Sequence, residues 1–314
     1  MVSAICTDGL TRTFGMLTAV DGVSLDVEEG EVFGVLGPNA AGKTTLIRLI
    51  NGVLTPTRGK ASVYGKDAAR EGTAVRAMTG VLTESPSHYE RLTGRQNLTF
   101  YARLYGLPEP DVAGSVAGRL TLFGLEARAD DLVGGYSKGM KQRLALARAL
   151  IHDPKVLFLD EPTAGLDPEA SRQVNDMIRG LAESGGRTVF LCTHNLHEAQ
   201  SLCDRVAMLN QGRILATGSI RELSEQLWQA TPVEIEFLTP PPEAVLTHLS
   251  AMQGVTLIDR GDVSLTLRVS QKEVVPAVVA SAVANSGRVL RVSPREYSLE
   301  EIYFAIQRGR EAAE

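Results

Sequence analysis

Val32-Phe33-Gly34-Val35-Leu36-Gly37-Pro38-Asn39-Ala40-Ala41-Gly42-Lys43-Thr44-Thr45 is the stretch from which the fold can be read. Its first five residues are an apolar run, the pattern of a strand buried on both faces. The next eight fit the phosphate-loop spacing G-x-x-x-x-G-K-[ST], and a helix is expected over 44–54. That spacing has a physical basis. Glycines let the backbone wrap closely, its N–H groups point at phosphate oxygens, and the helix N-terminus adds partial positive charge. Gly37, Pro38, Asn39, Ala40, Ala41, Gly42, Lys43, Thr44 and Thr45 are therefore candidate ATP-binding residues. Lys43 is placed to reach the β and γ phosphates, and the Thr44 hydroxyl to bind Mg²⁺.

Two more apolar runs lie downstream. Residues 156–159 end at Asp160-Glu161, and residues 188–192 end at Thr193-His194. Buried strands alternating with helices imply an α/β core whose site lies at the strands' carboxyl ends. In isolation an acidic pair there reads as a solvated strand end. Beside a phosphate loop, Asp160 becomes a candidate Mg²⁺ ligand acting through water, and Glu161 a general base. Before the first run, residues 19–27 alternate, with turns expected at Asp21-Gly22 and Glu29-Gly30. Residues 92–150 are helix-rich, interrupted by Pro108, Pro110 and Gly134-Gly135. Beyond about residue 226 the motifs stop. Strand 233–238, helix 243–252, strands 255–259 and 263–269, helix 273–286, strand 288–292 and helix 298–307 follow. That βαββαβ order with a helical tail predicts a small α+β, ferredoxin-like domain.

The bulk composition is that of a globular protein: 314 residues, 44% hydrophobic, 22% charged, net charge −5. The acidic balance argues against general nucleic-acid binding. No stretch approaches the roughly 18–20 consecutive apolar residues of a membrane span. Residues 1–10 lack the pattern of a secretory signal, so a cytoplasmic location is expected. Cys6, Cys192 and Cys203 have no metal-ligand spacing and read as small buried hydrophobes in a reducing compartment.

The family is narrowed by Tyr136-Ser137-Lys138-Gly139-Met140-Lys141-Gln142-Arg143, which precedes the Asp160-Glu161 strand and opens a helix. It resembles the signature motif of ABC ATPases, usually Leu-Ser-Gly-Gly-Gln, in a form common in one branch of exporters. Glu161-Pro162-Thr163-Ala164-Gly165-Leu166-Asp167-Pro168 is similar to that family's segment from catalytic Glu into the D-loop, and Thr193-His194 to its switch histidine. Tyr297-Ser298-Leu299-Glu300-Glu301-Ile302-Tyr303 resembles the tail of the drug-resistance and sodium-efflux branch. The resemblance covers residues 4–225 in order. It implies a P-loop ABC ATPase domain over 1–226, a mixed-sheet core with a helical subdomain at about 85–150, and a C-terminal accessory domain over 227–314.

The resemblance also implies roles. Phe14 stacks on adenine, and Glu84 contacts Mg²⁺. Ser137, Lys138 and Gly139 meet the γ phosphate of ATP held by a second ATP-binding domain, expected to be an identical copy. Asp167 lies at that dimer interface, and His194 bonds the γ phosphate. The partners implied are separately encoded transmembrane permease subunits, which would hold the chain on the inner face of the cell membrane. The function implied is ATP hydrolysis powering an exporter. A soluble ABC ATPase acting on ribosomes or DNA is the alternative. Its translation-associated members have two tandem domains, and its DNA-repair members a long coiled coil; neither pattern is present. Two positions depart from the family: Glu84 stands where a Gln is usual, and Ala40 replaces a frequent Gly. If the backbone at Ala40 has positive φ, alanine costs on the order of 1 kcal/mol there.

Overall fold

The computed structural model describes residues 3–183, 186–228 and 230–311. A hairpin of β1 (Ser3–Phe14) and β2 (Leu17–Glu28) opens the chain, and β3 (Val32–Leu36) delivers the phosphate loop to α1 (Lys43–Ile50). Then come β4 (Arg58–Val63), β5 (Lys66–Asp67), α2 (Gly72–Met78) and β6 (Thr79–Leu82). Helices α3 (Gly94–Leu104), α4 (Glu109–Leu122) and α5 (Lys138–Ala149) lead to β7 (Val156–Asp160) and α6 (Pro168–Glu183). After these run β8 (Thr188–Thr193), α7 (Leu196–Leu202), β9 (Arg205–Asn210) and β10 (Arg213–Gly218).

These strands form two sheets, β2-β1-β4-β5 and β10-β9-β3-β8-β7-β6. In the second, β3, β7 and β8 are parallel and every residue of the three is buried. Their uniform apolarity has a simple cause: both faces of the sheet are covered. Alternate side chains feed two cores. Leu157, Leu159, Val189 and Leu191 join the core shared with α3–α6, while Val156, Phe158, Phe190 and Cys192 join that under α1 and the antiparallel sheet. Phe190 packs between Phe33, at 5.9 Å between ring centroids, and Phe158, at 5.5 Å.

Three local expectations need correction. Asp21-Gly22 does not reverse the chain; β2 runs through it, and the irregularity is absorbed as a register shift against β1 between Leu10 and Arg12. Helix α1 stops at Ile50, where Asn51 and Gly52 N–H groups close back onto Ile47 and Leu49 carbonyls. Cys6 is exposed, because it alternates with buried Ile5 along β1; Cys192 is buried and Cys203 half-buried.

The chain divides into two compact units, Met1–Thr217 and Gly218–Glu314. The second begins with α8 (Ile220–Leu227), whose capping box joins Ser219 and Glu222. It continues through β11 (Thr231–Phe237), α9 (Glu243–Ala251), β12 (Val255–Arg260), β13 (Ser264–Val269), α10 (Val275–Ala284), β14 (Val289–Pro294) and α11 (Leu299–Glu311). The division falls ahead of residue 226 because α8 packs on α11, with Trp228 stacked on Tyr297 at 3.9 Å. The strands pair antiparallel in the order β12-β13-β11-β14, and Val233, Ile235, Phe237, Leu265, Leu267 and Val278 lie in their core.

Phe190 is fully buried between two other rings. Phe190→Ala is expected to lower the stability of the first unit by about 3–5 kcal/mol. Denaturant unfolding followed by circular dichroism measures this, and an unchanged midpoint would contradict the packing described.

Candidate functional site

The phosphate loop leaves β3 in a space only glycine fits. A Cβ on Gly37 would lie 2.2 Å from the Leu209 carbonyl oxygen, and one on Gly42, at φ 107°, 2.2 Å from that of Ala19. Pro38, Asn39 and Ala40 form an exposed lip, Ala41 is buried, and Thr45 is half-buried in α1. Ala40 has φ 65°, the left-handed conformation that alanine adopts at a cost. No side chain caps the start of α1. Its first N–H groups therefore remain a cradle for an anion.

Around this loop the sequence-predicted residues converge. Lys43 is buried, and its Nζ donates to Gly37 O at 2.7 Å and lies 3.0 Å from Glu161 Oε1. Thr44 Oγ1 donates to Asp160 Oδ2 at 2.6 Å. His194 Nδ1 lies 2.9 Å from Glu161 Oε1. Neither contact on Oε1 has hydrogen-bond alignment.

The adjacent carboxyls are displaced in opposite directions. Burial pushes Asp160 up; the Thr44 bond and Lys43 pull against this, while the charges of Glu161 and Glu84 add to it. Burial also pushes Glu161 up, but His194 and Lys43 outweigh it and hold the group below its ordinary value. Glu161 has φ 51°, rare for a residue with a side chain. Such strain clusters at functional sites.

Glu84 is exposed and acts on Asp160 through its charge. Phe14, at the end of β1, is 42% exposed, with the Arg12 guanidinium 4.6 Å from its ring centroid. Ser137, Lys138, Gly139 and Asp167 are assembled elsewhere. Ser137 caps α5, accepting from Met140 N at 3.2 Å, and Asp167 Oδ1 accepts from Ala170 N at 2.8 Å at the start of α6. The Lys138 ammonium lies over Gly165. These residues line one cleft of about 290 Å³, and among the described residues none of Lys43, Asp160, Glu161 and His194 lines it.

Two buried polar side chains, Glu198 and Gln142, have no role in the sequence reading. Glu198 is buried and accepts from Thr193 and Thr163, and burial pushes its carboxyl up. Thr163 and Thr193 link it to the Glu161 neighbourhood. Gln142 of α5 donates to Pro162 O at 2.5 Å. Thr193 was legible at its strand end, but a single Glu or Gln inside a helix carries no spacing signal.

Comparisons with known proteins accord with this geometry. The family described as ABC transporter matches residues 20–164. The fluoroquinolones export ATP-binding protein of Mycobacterium tuberculosis is 47% identical over 208 residues, 65% of this chain and 66% of that relative, so the match spans just under two thirds of its length. The daunorubicin/doxorubicin resistance ATP-binding protein DrrA of Streptomyces peucetius is 36% identical over 305 residues, 96% of this chain and 92% of that one. Among solved structures, cbiO1 from Clostridium perfringens, part of the ABC transporter complex cbiONQ, matches with TM-score 0.65 at 28% identity, over 72% of this chain and 96% of that one. The chain belongs to the ABC transporter family, as one of its ATP-binding proteins.

Proposed function

We propose that the chain binds ATP with Mg²⁺ and hydrolyses it to power a separately encoded transmembrane permease that exports its cargo. The observation that carries this is the convergence of Lys43, Thr44, Asp160, Glu161 and His194 beside a loop with two obligatory glycines. The donors fit the groups. The uncapped start of α1 and buried Lys43 suit phosphate oxygens, and the Thr44 hydroxyl with the carboxylates of Asp160 and Glu84 is a hard oxygen set suited to Mg²⁺. When bound, the metal neutralises phosphate charge.

Lys43 is paired with Glu161. Phosphate oxygens compete for that ammonium, and Glu161 then loses one of the contacts that depress it. Its carboxylate becomes a stronger base when ATP is present. His194 lies against Glu161 and is read as the residue that would bond the γ phosphate. Phe14 offers a ring face to adenine.

The cleft of Ser137–Gly139 and Asp167 is read as the half-site for ATP held by a second, identical copy, with an anion at the start of α5. The chain docks on the cytoplasmic side of the membrane through the permease, and among the described residues no helix is long and apolar enough to cross it. The names of relatives, for export and for resistance, support an exporter. The βαββαβ order and the antiparallel arrangement β12-β13-β11-β14 support a ferredoxin-like accessory domain. The acidic balance supports no nucleic-acid partner.

Glu161→Gln is expected to retain ATP binding and ATP-dependent dimerisation while hydrolysis falls by about 100-fold or more. Unaltered turnover would remove Glu161 from the base role. Ala40→Gly relieves the left-handed strain, and ATP affinity is expected to change by less than about fivefold. Titration with a fluorescent ATP analogue checks it, and a large loss of binding would sink the strain argument. Affinity purification from membranes is expected to bring down a polytopic permease chain; a ribosome in its place would overturn the transport reading.

A further inference from the structure

Glu198 lies in the first turn of α7, three residues past the Asn195 cap, with 3% of its surface exposed. A glutamate there commonly folds back onto the N–H of the cap residue. Here Asn195 N–H donates instead to Thr193 Oγ1 at 3.0 Å, and the Glu198 carboxylate turns inward. Its Oε1 accepts from Thr163 Oγ1 at 2.8 Å and its Oε2 from Thr193 Oγ1 at 2.7 Å. Thr163 follows Glu161 on the segment running to Asp167, and Thr193 precedes His194 at the end of β8. One buried carboxylate thus ties together the two strand ends that frame Glu161.

A threonine hydroxyl carries one proton. Thr193 Oγ1 already accepts from Asn195, so its proton goes either to Glu198 Oε2 at 2.7 Å or to Glu161 Oε2 at 3.3 Å. The shorter contact takes it. Among the described residues Glu161 Oε2 then keeps only a 3.4 Å approach from His194 N–H, while Oε1 faces Lys43 and the His194 ring. We propose that Glu198 is a positioning residue for hydrolysis, withholding the Thr193 proton from Glu161 so that Glu161 Oε2 stays open to the proton of the attacking water. The inference rests on the reading of Glu161 as general base. Two hydroxyl donors, one on each oxygen, are the arrangement an ionised carboxylate takes. The titratable groups acting on Glu198 include Glu161, His194 and Cys203.

The test compares steady-state ATP hydrolysis and fluorescent-ATP affinity of the full chain in four variants: Glu198→Leu, Thr193→Val, the double variant and Glu161→Gln. Among the described residues Glu198→Leu leaves the Thr193 proton Glu161 as its acceptor, so kcat is expected to fall by about tenfold or more with ATP affinity within about twofold. Adding Thr193→Val removes that proton and is expected to recover about threefold or more of the loss. A merely structural role predicts the reverse, with the second substitution deepening the loss and affinity falling alongside kcat. Either of those results, or wild-type kcat in Glu198→Leu, overturns the proposal. If Glu198→Leu does not fold, Glu198→Gln replaces it. Its neutral carbonyl holds the proton less firmly, so a smaller loss, again recovered by Thr193→Val, is expected. An inactive Glu161→Gln beside a normal Glu198 variant overturns the Glu198 inference alone; an active Glu161→Gln removes the base on which it rests.

Discussion

In-register parallel pairing sets Leu36 of β3 opposite Thr193 of β8, and Asp160 of β7 opposite Cys192 of β8. The three strands therefore end at one level. The residues that follow, the phosphate loop, Glu161 and His194, have nowhere to go but into a shared space at that edge. Each strand is held in register by side chains committed to two cores, so slipping one strand by a residue would exchange its buried faces as well as misplace its end group. The fixed level of these ends is what allows contacts of 2.6–3.0 Å between residues more than a hundred positions apart in sequence, such as Thr44 and Asp160.

Gathering charges at a covered sheet edge has an electrostatic consequence. Lys43, Asp160 and Glu161 are all buried, and a buried charge is tolerated only with a partner. The chain meets this need internally: Lys43 and His194 serve Glu161, and Thr44 serves Asp160. In the proposed mechanism a ligand bringing phosphate charge competes with Glu161 for the Lys43 ammonium. The same competition changes the basicity of Glu161, which ties nucleotide binding to readiness for hydrolysis within the proposed mechanism. The left-handed backbone of Ala40 and Glu161 adds conformational strain at the same spot, supported by rigid strands on either side.

Much of this was legible in the sequence because strand ends and the phosphate loop are local signals. An apolar run ending in Asp160-Glu161 announces both its burial and its end group. The antiparallel sheet was less legible. Gly22 reads locally as a turn, yet pairing with β1 carries the chain straight through it, a long-range effect that the dipeptide does not record. Cys6 is exposed because β1 has one covered and one open face, and composition says nothing of which face a residue occupies. Glu198 was invisible for a related reason. Its meaning comes from two threonines on other segments, and helix periodicity alone makes it an ordinary first-turn acid.

Ser137 shows that a structural role and a ligand role need not compete. In the isolated sequence a serine opening a helix is a cap, and in the folded chain it is one, accepting from Met140 N–H. That bond uses an oxygen lone pair and leaves the hydroxyl proton to be donated outward. A phosphate oxygen requires a donor, so contact with a nucleotide would add to the cap without breaking it. Asp167 lacks this freedom: a carboxylate that caps α6 still presents only acceptors and cannot donate to phosphate. Of the residues lining the second cleft, Ser137, Lys138 and the N–H groups at the start of α5 are therefore suited to touch the anion, while Asp167 is suited to meet donors of a facing copy. This division of labour follows from hydrogen-bond valence and accords with the dimer of identical copies proposed for the chain.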